Sequence, residues 1–273
     1  MKTLAGRKLF ITGGSRGIGR EIALRAAKDG ANVAIAAKTS DPHPRLRGTI
    51  HTVAREIVEA GGRALPIQLD VRDENAVVEA INHTAREFGG LDILVNNASA
   101  ISATPTLQTP AKRFDLMQGV NARGTFLCSQ AAIPHLKMST NPHILTLSPP
   151  MGMDPKWFAG HLAYTMSKYG MSMCTLGMAE EFRADGIAVN SLWPRTTIAT
   201  AAIEAHFPAA VLAASRHAAI MADAAHLILT SEARSNTGNF HIDEDLLRKA
   251  GVTDFAHYAV TPGVPLFQDL FLD

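Results

Sequence analysis

Short apolar runs rich in β-branched residues alternate along this chain with longer stretches in which apolar residues recur every three or four positions. The short runs predict buried strands and the longer stretches predict amphipathic helices. Their alternation predicts an α/β fold, a doubly wound parallel sheet of about seven strands with helices on both faces. The predicted strands are Lys8–Thr12, Asn32–Ala37, Arg63–Leu69, Leu91–Val95, His143–Ser148, Ile187–Leu192 and Phe240–Asp243. The predicted helices lie near Ile18–Asp29, Gly48–Ala60, Glu74–Phe88, Pro110–Leu136, His161–Arg183 and Ala218–Leu229.

This pattern predicts a single domain over residues 1–273, since no linker divides it. Two segments, 38–47 and 193–216, interrupt the rhythm of strands and helices, and long connections inside compact α/β domains are more often functional than idle. Residues 246–273 contain Pro262, Gly263 and Pro265 and are expected to form an extended arm. The arm would pack on its own domain or on a neighbouring subunit.

Composition narrows the function classes. Lys and Arg number 26 against 25 Asp and Glu, a net charge of +1, so the overall field favours neither nucleic acid nor an anionic membrane. No apolar window approaches the ~18 residues of a membrane span, and no apolar signal segment opens the chain, so a cytoplasmic location is expected. Cys128 and Cys174 lack CxxC spacing and clustered His, so neither a disulfide nor a metal site is predicted.

A glycine-rich turn joins the first predicted strand to the first predicted helix. It reads Thr12-Gly13-Gly14-Ser15-Arg16-Gly17-Ile18-Gly19. Gly13 permits a tight turn, Gly17 lets the backbone approach a pyrophosphate, and Gly19 permits close packing of helix on strand. The helix N-terminus would present free N–H groups to the phosphates. The GxxxGxG spacing differs from the usual GxGxxG, and a turn that binds nothing is the alternative. The predicted cofactor contacts in the turn are Gly13, Ser15, Arg16, Gly17, Ile18 and Gly19.

The end of the second predicted strand bears on the choice between NAD and NADP. A carboxylate about 20 residues beyond the glycine turn normally accepts hydrogen bonds from the ribose 2′-OH. Here the chain reads Ala36-Ala37-Lys38, without an acid. Lys38 and Arg16 are instead placed to meet a 2′-phosphate, which predicts NADP(H). Solvated surface cations are the alternative reading of the same two residues.

Tyr164 and Lys168 stand four residues apart near the start of a long predicted helix, so they share one helical face. A fixed cation favours the phenolate and is expected to lower the pKa of the phenol. Tyr164 would then exchange a proton with a carbonyl or alcohol oxygen.

Together these motifs resemble the short-chain dehydrogenase/reductase family. The matching residues are Thr12 to Gly19, Asp70-Val71, Asn96-Asn97-Ala98-Ser99, Asn121, Ser148, and Tyr164 with Lys168. Their order and spacing match from Leu4 to Asp243, nearly the whole chain. The resemblance implies a Rossmann-type sheet, a nicotinamide cofactor, and dimers or tetramers formed through the fourth and fifth predicted helices.

The resemblance also implies contacts to the nucleotide. The adenine contact falls on Asp70 with the backbone of Val71, and the contacts after the fourth strand fall on Asn97 and Ala98. Lys168 would hold the nicotinamide ribose.

The catalytic roles follow in the same way. Tyr164 would be the acid–base group, Ser148 would orient the substrate oxygen, and Asn121 would kink its helix and hold a water in a proton relay to Lys168. At the family's usual serine position this chain has Pro149, so the available hydroxyl, that of Ser148, lies one residue early.

After the sixth strand the usual Pro-Gly reads Pro194-Arg195, which leaves the carboxamide contact open among Pro194, Thr196 and Thr197. Soft and aromatic side chains follow Ser148 and end the sixth strand, and these could line a cleft for an apolar substrate. They are Met151, Met153, Trp157, Phe158 and Trp193.

The expected function is an NADP(H)-dependent oxidoreductase that transfers a hydride between nicotinamide and an apolar carbonyl or alcohol. Two alternatives remain open. The departure at Pro149 is compatible with an enoyl-thioester reductase, and the chain could also be a module that binds NADP(H) without turnover.

Overall fold

A computed structural model of the protein describes residues 2–42 and 48–273. Residues 43–47, within the first interrupting segment, lie outside the described residues. The strands form a seven-stranded sheet in the order β3-β2-β1-β4-β5-β6-β7, with every neighbouring pair parallel. This confirms the predicted fold class. The strands are β1 Lys8–Thr12, β2 Asn32–Ala37, β3 Arg63–Gln68, β4 Ile93–Asn96, β5 His143–Thr146, β6 Ala188–Trp193 and β7 Phe240–Ile242.

Helices cover both faces of the sheet. They are α1 Gly17–Ala27, α2 Ile50–Glu59, α3 Glu74–Phe88, α4 Ala111–Met117, α5 Gly124–Leu136, α6 Leu162–Glu181, α7 Ala201–His206, α8 Ala209–Ala213, α9 Ala219–Leu229 and α10 Asp243–Lys249. On one face Ile22 of α1 and Ile220 of α9 are buried in a common core, and on the other Ile81 of α3 packs with Leu127 of α5. The central strands β1, β2, β4, β5 and β6 are therefore buried from both sides, as is typical of parallel sheets, while the edge strands β3 and β7 are partly exposed.

The strand order reverses between β1 and β4. At this point β1 and β4 lie next to each other, and the chain leaves their carboxyl ends toward opposite sides of the sheet. In open α/β sheets, ligands bind in the crevice that this reversal leaves. The topology thus places the glycine turn after β1 and the residues after β4 and β5 at one edge.

The predicted helix near Pro110–Leu136 is interrupted. Between α4 and α5 the chain makes one π-helical turn, Gln118–Arg123, with Asn121 buried inside it. Such turns displace a side chain from the ordinary helical register and occur often at functional sites. The interruption agrees with the expected kink at Asn121.

The C-terminal segment differs from its prediction. Residues 243–249, expected in part to begin an extended arm, form α10 instead. Asp243, Glu244 and Asp245 occupy its first turn and Arg248 and Lys249 its last, which complements the helix dipole. Residues 250–273 then run as turns and extended chain with one 3₁₀ turn, Ala256–Tyr258, and reach the end of β6, where Trp193 Nε1 donates to the Leu270 carbonyl at 2.9 Å. Among the described helices, none is long and apolar enough to cross a membrane.

Candidate active site

Two glycines let the turn after β1 approach the end of β4. Gly13 has φ +67°, and a Cβ there would lie 2.8 Å from Asn97 Nδ2. A Cβ on Gly19 would lie 2.5 Å from the same nitrogen and 2.8 Å from the Gly13 carbonyl oxygen. Asn97 Nδ2 donates to the carbonyls of Thr12 and Gly13 at 2.9 and 3.0 Å. Asn97 therefore braces the turn, a contact that the motif alone did not indicate.

The first turn of α1 is left free to bind an anion. Gly17 begins the helix with φ +56°, and the residue before it, Arg16, makes no side-chain cap. The first turn also contains no acidic residue. Its backbone N–H groups are thus available to a phosphate, and Ser15 and Ile18 lie beside them. This cradle fits a dinucleotide.

A pocket of about 280 Å³ lies beside this turn, at the ends of β2 and β3. Lys38, Asp70, Val71 and Ala98 all line it, so the structure brings these predicted cofactor residues together. Lys38 Nζ lies 3.1 Å from Asp70 Oδ2. Arg72, which sequence reasoning missed, also binds Asp70, with Nη2 2.6 Å from Oδ2.

The charged side chains that line this pocket, those of Lys38, Arg72 and Asp70, give it a net positive charge. The bond from Arg72, the largest cause, holds the pKa of Asp70 well below its usual range. One carboxylate thus faces two cations, Lys38 and Arg72. Arg16 Nη2 donates to the Gly48 carbonyl at 3.0 Å, while its buried Nε has no partner among the described residues.

Tyr164 and Lys168 share one cavity of about 210 Å³ at the carboxyl edge of the sheet. Among the described residues no hydrogen bond engages the Tyr164 hydroxyl, and its side chain is only 6% exposed. Lys168 Nζ donates to the Leu147 carbonyl at 2.6 Å and lies 5.0 Å from the centre of the Trp193 ring. Ile18 and Asn97 line the same cavity, which connects it to the glycine turn.

The electrostatics of the pair differ from the sequence prediction. Burial, the largest cause, raises the pKa of Tyr164, and the charge of Asp269 raises it further. Burial also lowers the pKa of Lys168 to about 7, although Asp269 opposes that change. The expected lowering of the phenol pKa by Lys168 is absent because desolvation disfavours both charged forms. Tyr164 is therefore held in its proton-donating form.

Ser148 does not reach the cavity. Its side chain is fully buried, and its hydroxyl lies 2.8 Å from Ser191 Oγ, which in turn donates to Thr175 Oγ1 at 2.8 Å. The structure therefore does not bring Ser148 together with Tyr164. Pro149, at the family's serine position, offers only its backbone carbonyl, which accepts a hydrogen bond from Ser172.

Asn121 joins the loop after β4 to α6. Its Oδ1 accepts from the Ala100 N–H at 2.7 Å, and its Nδ2 donates to the Ala100 carbonyl and to Ser167 Oγ, each at 2.9 Å. Since Ser167 precedes Lys168, the amide positions the helix that carries Tyr164 and Lys168. The water relay predicted for Asn121 stays a prediction.

Pro194 and Thr197, the predicted carboxamide contacts, both line the cavity. The Thr197 N–H donates to the Phe267 carbonyl at 3.0 Å, and its hydroxyl lies 2.8 Å from Ser215 Oγ. The Thr196 hydroxyl is buried without a partner among the described residues. The contact with a carboxamide stays open between these positions.

The end of the C-terminal arm closes the cavity. Phe267, Gln268, Asp269 and Leu270 line it together with Tyr164. The Asp269 N–H donates to the Arg195 carbonyl at 3.1 Å. Of the two expected positions of the arm, on its own domain or on a neighbouring subunit, the structure shows the first, with residues 267–270 lining the cavity. No local signal in residues 267–270 marks them as cavity residues.

Phe271 anchors the arm in an aromatic cluster. Its ring lies 5.4 Å from that of Tyr169, 5.9 Å from Trp193, 6.0 Å from Trp157 and 6.4 Å from Tyr164, between centroids. Phe271 has φ +71°, which is unfavourable for a residue with a Cβ and is sustained by this packing. Of the side chains expected to line a cleft, Trp193 lines the cavity, whereas Met151, Trp157 and Phe158 pack in the cluster around Phe271 and Met153 is exposed to solvent.

Comparisons with known proteins agree with this geometry. Residues 7–208 match the family model described as short chain dehydrogenase. The chain belongs to the short-chain dehydrogenase/reductase family. Its members are oxidoreductases that bind nicotinamide cofactors.

Individual relatives extend the similarity to nearly the whole chain. Hydroxysteroid dehydrogenase-like protein 2 of Danio rerio is 60% identical over 99% of this chain, and that of Rattus norvegicus is 59% identical over 99%. The chain spans 65% and 51% of the length of these two relatives. The crystal structure of a putative dehydrogenase from Xanthomonas campestris is 55% identical, with a TM-score of 0.96 and 99% of each chain covered.

Proposed function

We propose that this chain is an NADP(H)-dependent oxidoreductase that transfers a hydride between nicotinamide and an apolar carbonyl or alcohol, with Tyr164 as the acid–base group. The observation that carries the proposal is the shared cavity. The Tyr164 hydroxyl, which makes no hydrogen bond to the described residues, lies in this cavity with the ammonium of Lys168. The cavity extends to the glycine turn, whose backbone N–H groups suit a pyrophosphate.

The chain's own residues supply placement and a proton. Bound nicotinamide would supply the hydride. The Tyr164 hydroxyl, kept protonated by its raised pKa, donates its proton to the carbonyl oxygen of the substrate. Lys168, fixed by the Leu147 carbonyl, holds positive charge beside the phenol as that proton leaves.

Arg16 and Lys38 support the choice of NADP(H). No carboxylate ends β2, and the Asp70 carboxylate is already held by Arg72. A ribose 2′-phosphate would meet Lys38 and Arg72 in the pocket at the ends of β2 and β3. In the glycine turn, the buried Nε of Arg16 has no partner among the described residues.

The cavity wall supports an apolar substrate. Ile101, Ile203, Phe207, Met221 and Leu270 line it, and its accessible surface is mainly apolar. An enoyl-thioester reductase is the second candidate, because the Ser148 hydroxyl is turned into the core and away from a substrate oxygen.

A titration followed by a substrate panel tests the proposal. We expect NADPH to quench tryptophan fluorescence at lower concentration than NADH, because Arg16 and Lys38 favour the extra phosphate. Aldehydes, ketones and enoyl thioesters are then supplied with NADPH, and its absorbance is followed. Oxidation with carbonyls supports the proposal, and oxidation with enoyl thioesters alone supports the second candidate. Tight NADPH binding without oxidation by any of them would identify a binding module.

Exposed apolar side chains on α5 and α6 support a homodimer or homotetramer assembled through these helices. Phe126 of α5 is 46% exposed, and Met173 and Leu176 of α6 are 61% and 53% exposed. Exposed large apolar side chains on neighbouring helices are typical of interaction sites. Light scattering of the wild type and of Leu176→Glu tests this, since the charge should dissociate the assembly.

A further inference from the structure

The cavity contains one acidic side chain near the catalytic pair, and it comes from the C-terminal arm. Asp269 lines the cavity with Tyr164 and Lys168, and its charge acts on both of them. Among the described residues no salt bridge joins Asp269 to Lys168, which acts on the Asp269 carboxyl only through its charge. The carboxyl and the ammonium thus stand apart in the same apolar space.

The backbone holds Asp269 in this place. Its own N–H donates to the Arg195 carbonyl at 3.1 Å, while the Leu270 N–H donates to Asp269 Oδ1 at 2.7 Å. Two residues on, Phe271 anchors the arm in the aromatic cluster. Among the described residues no hydrogen bond engages Oδ2, which is left as the oxygen that can carry a proton.

The usual second hydrogen-bond donor of the site is missing. Pro149 has no hydroxyl, and that of Ser148 is 2.8 Å from Ser191 inside the core. A carbonyl oxygen that gains charge during hydride transfer is stabilised by each donor directed at it in a water-poor cavity. The Tyr164 hydroxyl, which makes no hydrogen bond to the described residues, supplies one such donor.

We propose that the Asp269 carboxyl is the second hydrogen-bonding group on the reacting oxygen, beside Tyr164, in place of the missing serine hydroxyl. The inference rests on the proposed reduction of a carbonyl. In that step the hydride adds to the carbonyl carbon and the C=O π electron pair moves to oxygen. The Tyr164 hydroxyl gives its proton to that oxygen, whereas Asp269 keeps its own proton and only donates a hydrogen bond.

The charges around Asp269 are compatible with a protonated carboxyl. Burial, the largest cause, raises the pKa of Asp269 to about 7, the charge of Asp243 at the start of α10 raises it further, and Lys168 opposes the change. Lys168 and Tyr164 on α6 and Asp243 are the titratable groups that act on it. The donating form is therefore populated near neutral pH.

Two substitutions of Asp269 test the inference with the substrates that the wild type reduces. Asp269→Asn keeps a donor and keeps the acceptor for the Leu270 N–H, so we expect kcat within about tenfold of the wild type. Asp269→Leu removes the donor at similar volume, and loss of one such donor lowers kcat by roughly 100-fold. The Kd for NADPH should change little in either variant.

Matched controls separate this role from folding of the arm. Asp273→Asn removes a carboxylate four residues along the same arm that is 81% exposed and paired with Lys156, and should leave kcat unchanged. Trp193 fluorescence reports the arm, since Trp193 Nε1 donates to the Leu270 carbonyl at 2.9 Å. If Asp269→Leu alters that signal, Asp269→Ala, which adds no bulk, takes its place.

Each outcome decides one way. A large loss of kcat with Leu or Ala and its recovery with Asn supports the inference. Equal kcat in all variants, or an equal loss in Asn and Leu with the arm signal intact, overturns it. If the wild type oxidises NADPH with no carbonyl, the proposed function fails first. Turnover that requires Tyr164 but ignores Asp269 overturns this inference alone.

Discussion

The two ends of the cavity are built in different ways. At the glycine turn, the site is made of backbone: positive φ at Gly13 and Gly17, free N–H groups of α1, and a Cβ-free approach at Gly19. At the arm, it is made of side chains, where Phe271 and Asp269 meet a helix distant in sequence. The first end is specified by consecutive residues, while the second depends on the whole fold.

This difference implies that binding and turnover are separable. Substitutions at the glycine turn should change nucleotide affinity, and substitutions of Tyr164 or of the arm should change turnover with affinity kept. Four substitutions examine that separation, in descending order of expected effect.

Tyr164→Phe should lower turnover about 1,000-fold, because it removes the proton donor and leaves the ring packing in place. The Kd for NADPH should stay within about threefold, as the phenol lies outside the nucleotide cradle. Steady-state kinetics measure the turnover, and fluorescence titration measures the Kd for NADPH. Tyr258→Phe is the matched control, since that hydroxyl binds Asp223 away from the cavity. Turnover that survives in Tyr164→Phe would reject Tyr164 as the acid.

Phe271→Ala should detach the arm end. Truncating a buried Phe costs about 3 kcal/mol, and here that cost falls on arm docking. We expect kcat/KM for the carbonyl substrate to fall roughly 100-fold while NADPH binding persists. The kinetics are compared with hydrogen exchange of residues 267–273, which should become faster. Unchanged exchange together with unchanged kinetics would contradict the anchoring role.

Gly19→Ala should weaken NADPH binding by about 30-fold, because the added Cβ would come within 2.5 Å of Asn97 Nδ2 and force the turn to shift. At saturating NADPH, turnover should approach the wild-type value. Gly177→Ala on α6 is the matched control, where a Cβ meets nothing within 4 Å. An equal Kd for NADPH in Gly19→Ala and the wild type would contradict the role of the close approach at Gly19 in nucleotide binding.

Lys38→Ala should lower the preference for NADPH over NADH by about tenfold, because a charge-assisted hydrogen bond contributes about 1.5 kcal/mol. The Kd for NADH should be almost unaffected. Titrations with both nucleotides measure this, with Lys28→Ala, an exposed lysine after α1, as control. An unchanged preference for NADPH over NADH would show that a residue other than Lys38 selects between the two nucleotides.

Elements with signals in their own residues were predicted closely. The helix Glu74–Phe88 was predicted with its observed bounds, since Asp73 caps its start and Gly89 ends it in the left-handed conformation. β1 and β2 were also predicted with their observed bounds. The long helix at 110–136 was not, because no local signal marks the π-helical turn around Asn121.

The same division holds for the site. The glycine turn, Lys38, and Tyr164 with Lys168 were predicted from spacing along single elements. The orientation of Ser148 into the core and the partnership of Arg72 with Asp70 were not, because each depends on a contact with the rest of the chain.

The sequence by itself determined the α/β alternation, the glycine-rich turn and the pair of Tyr164 and Lys168, because backbone conformation and helical spacing act over a few residues. Only the tertiary structure decided which groups share the cavity and what charge they carry. It placed Asp269 beside Tyr164 and reversed the expected change in the phenol pKa. The physical reason is that desolvation and long-range packing depend on everything that surrounds a side chain.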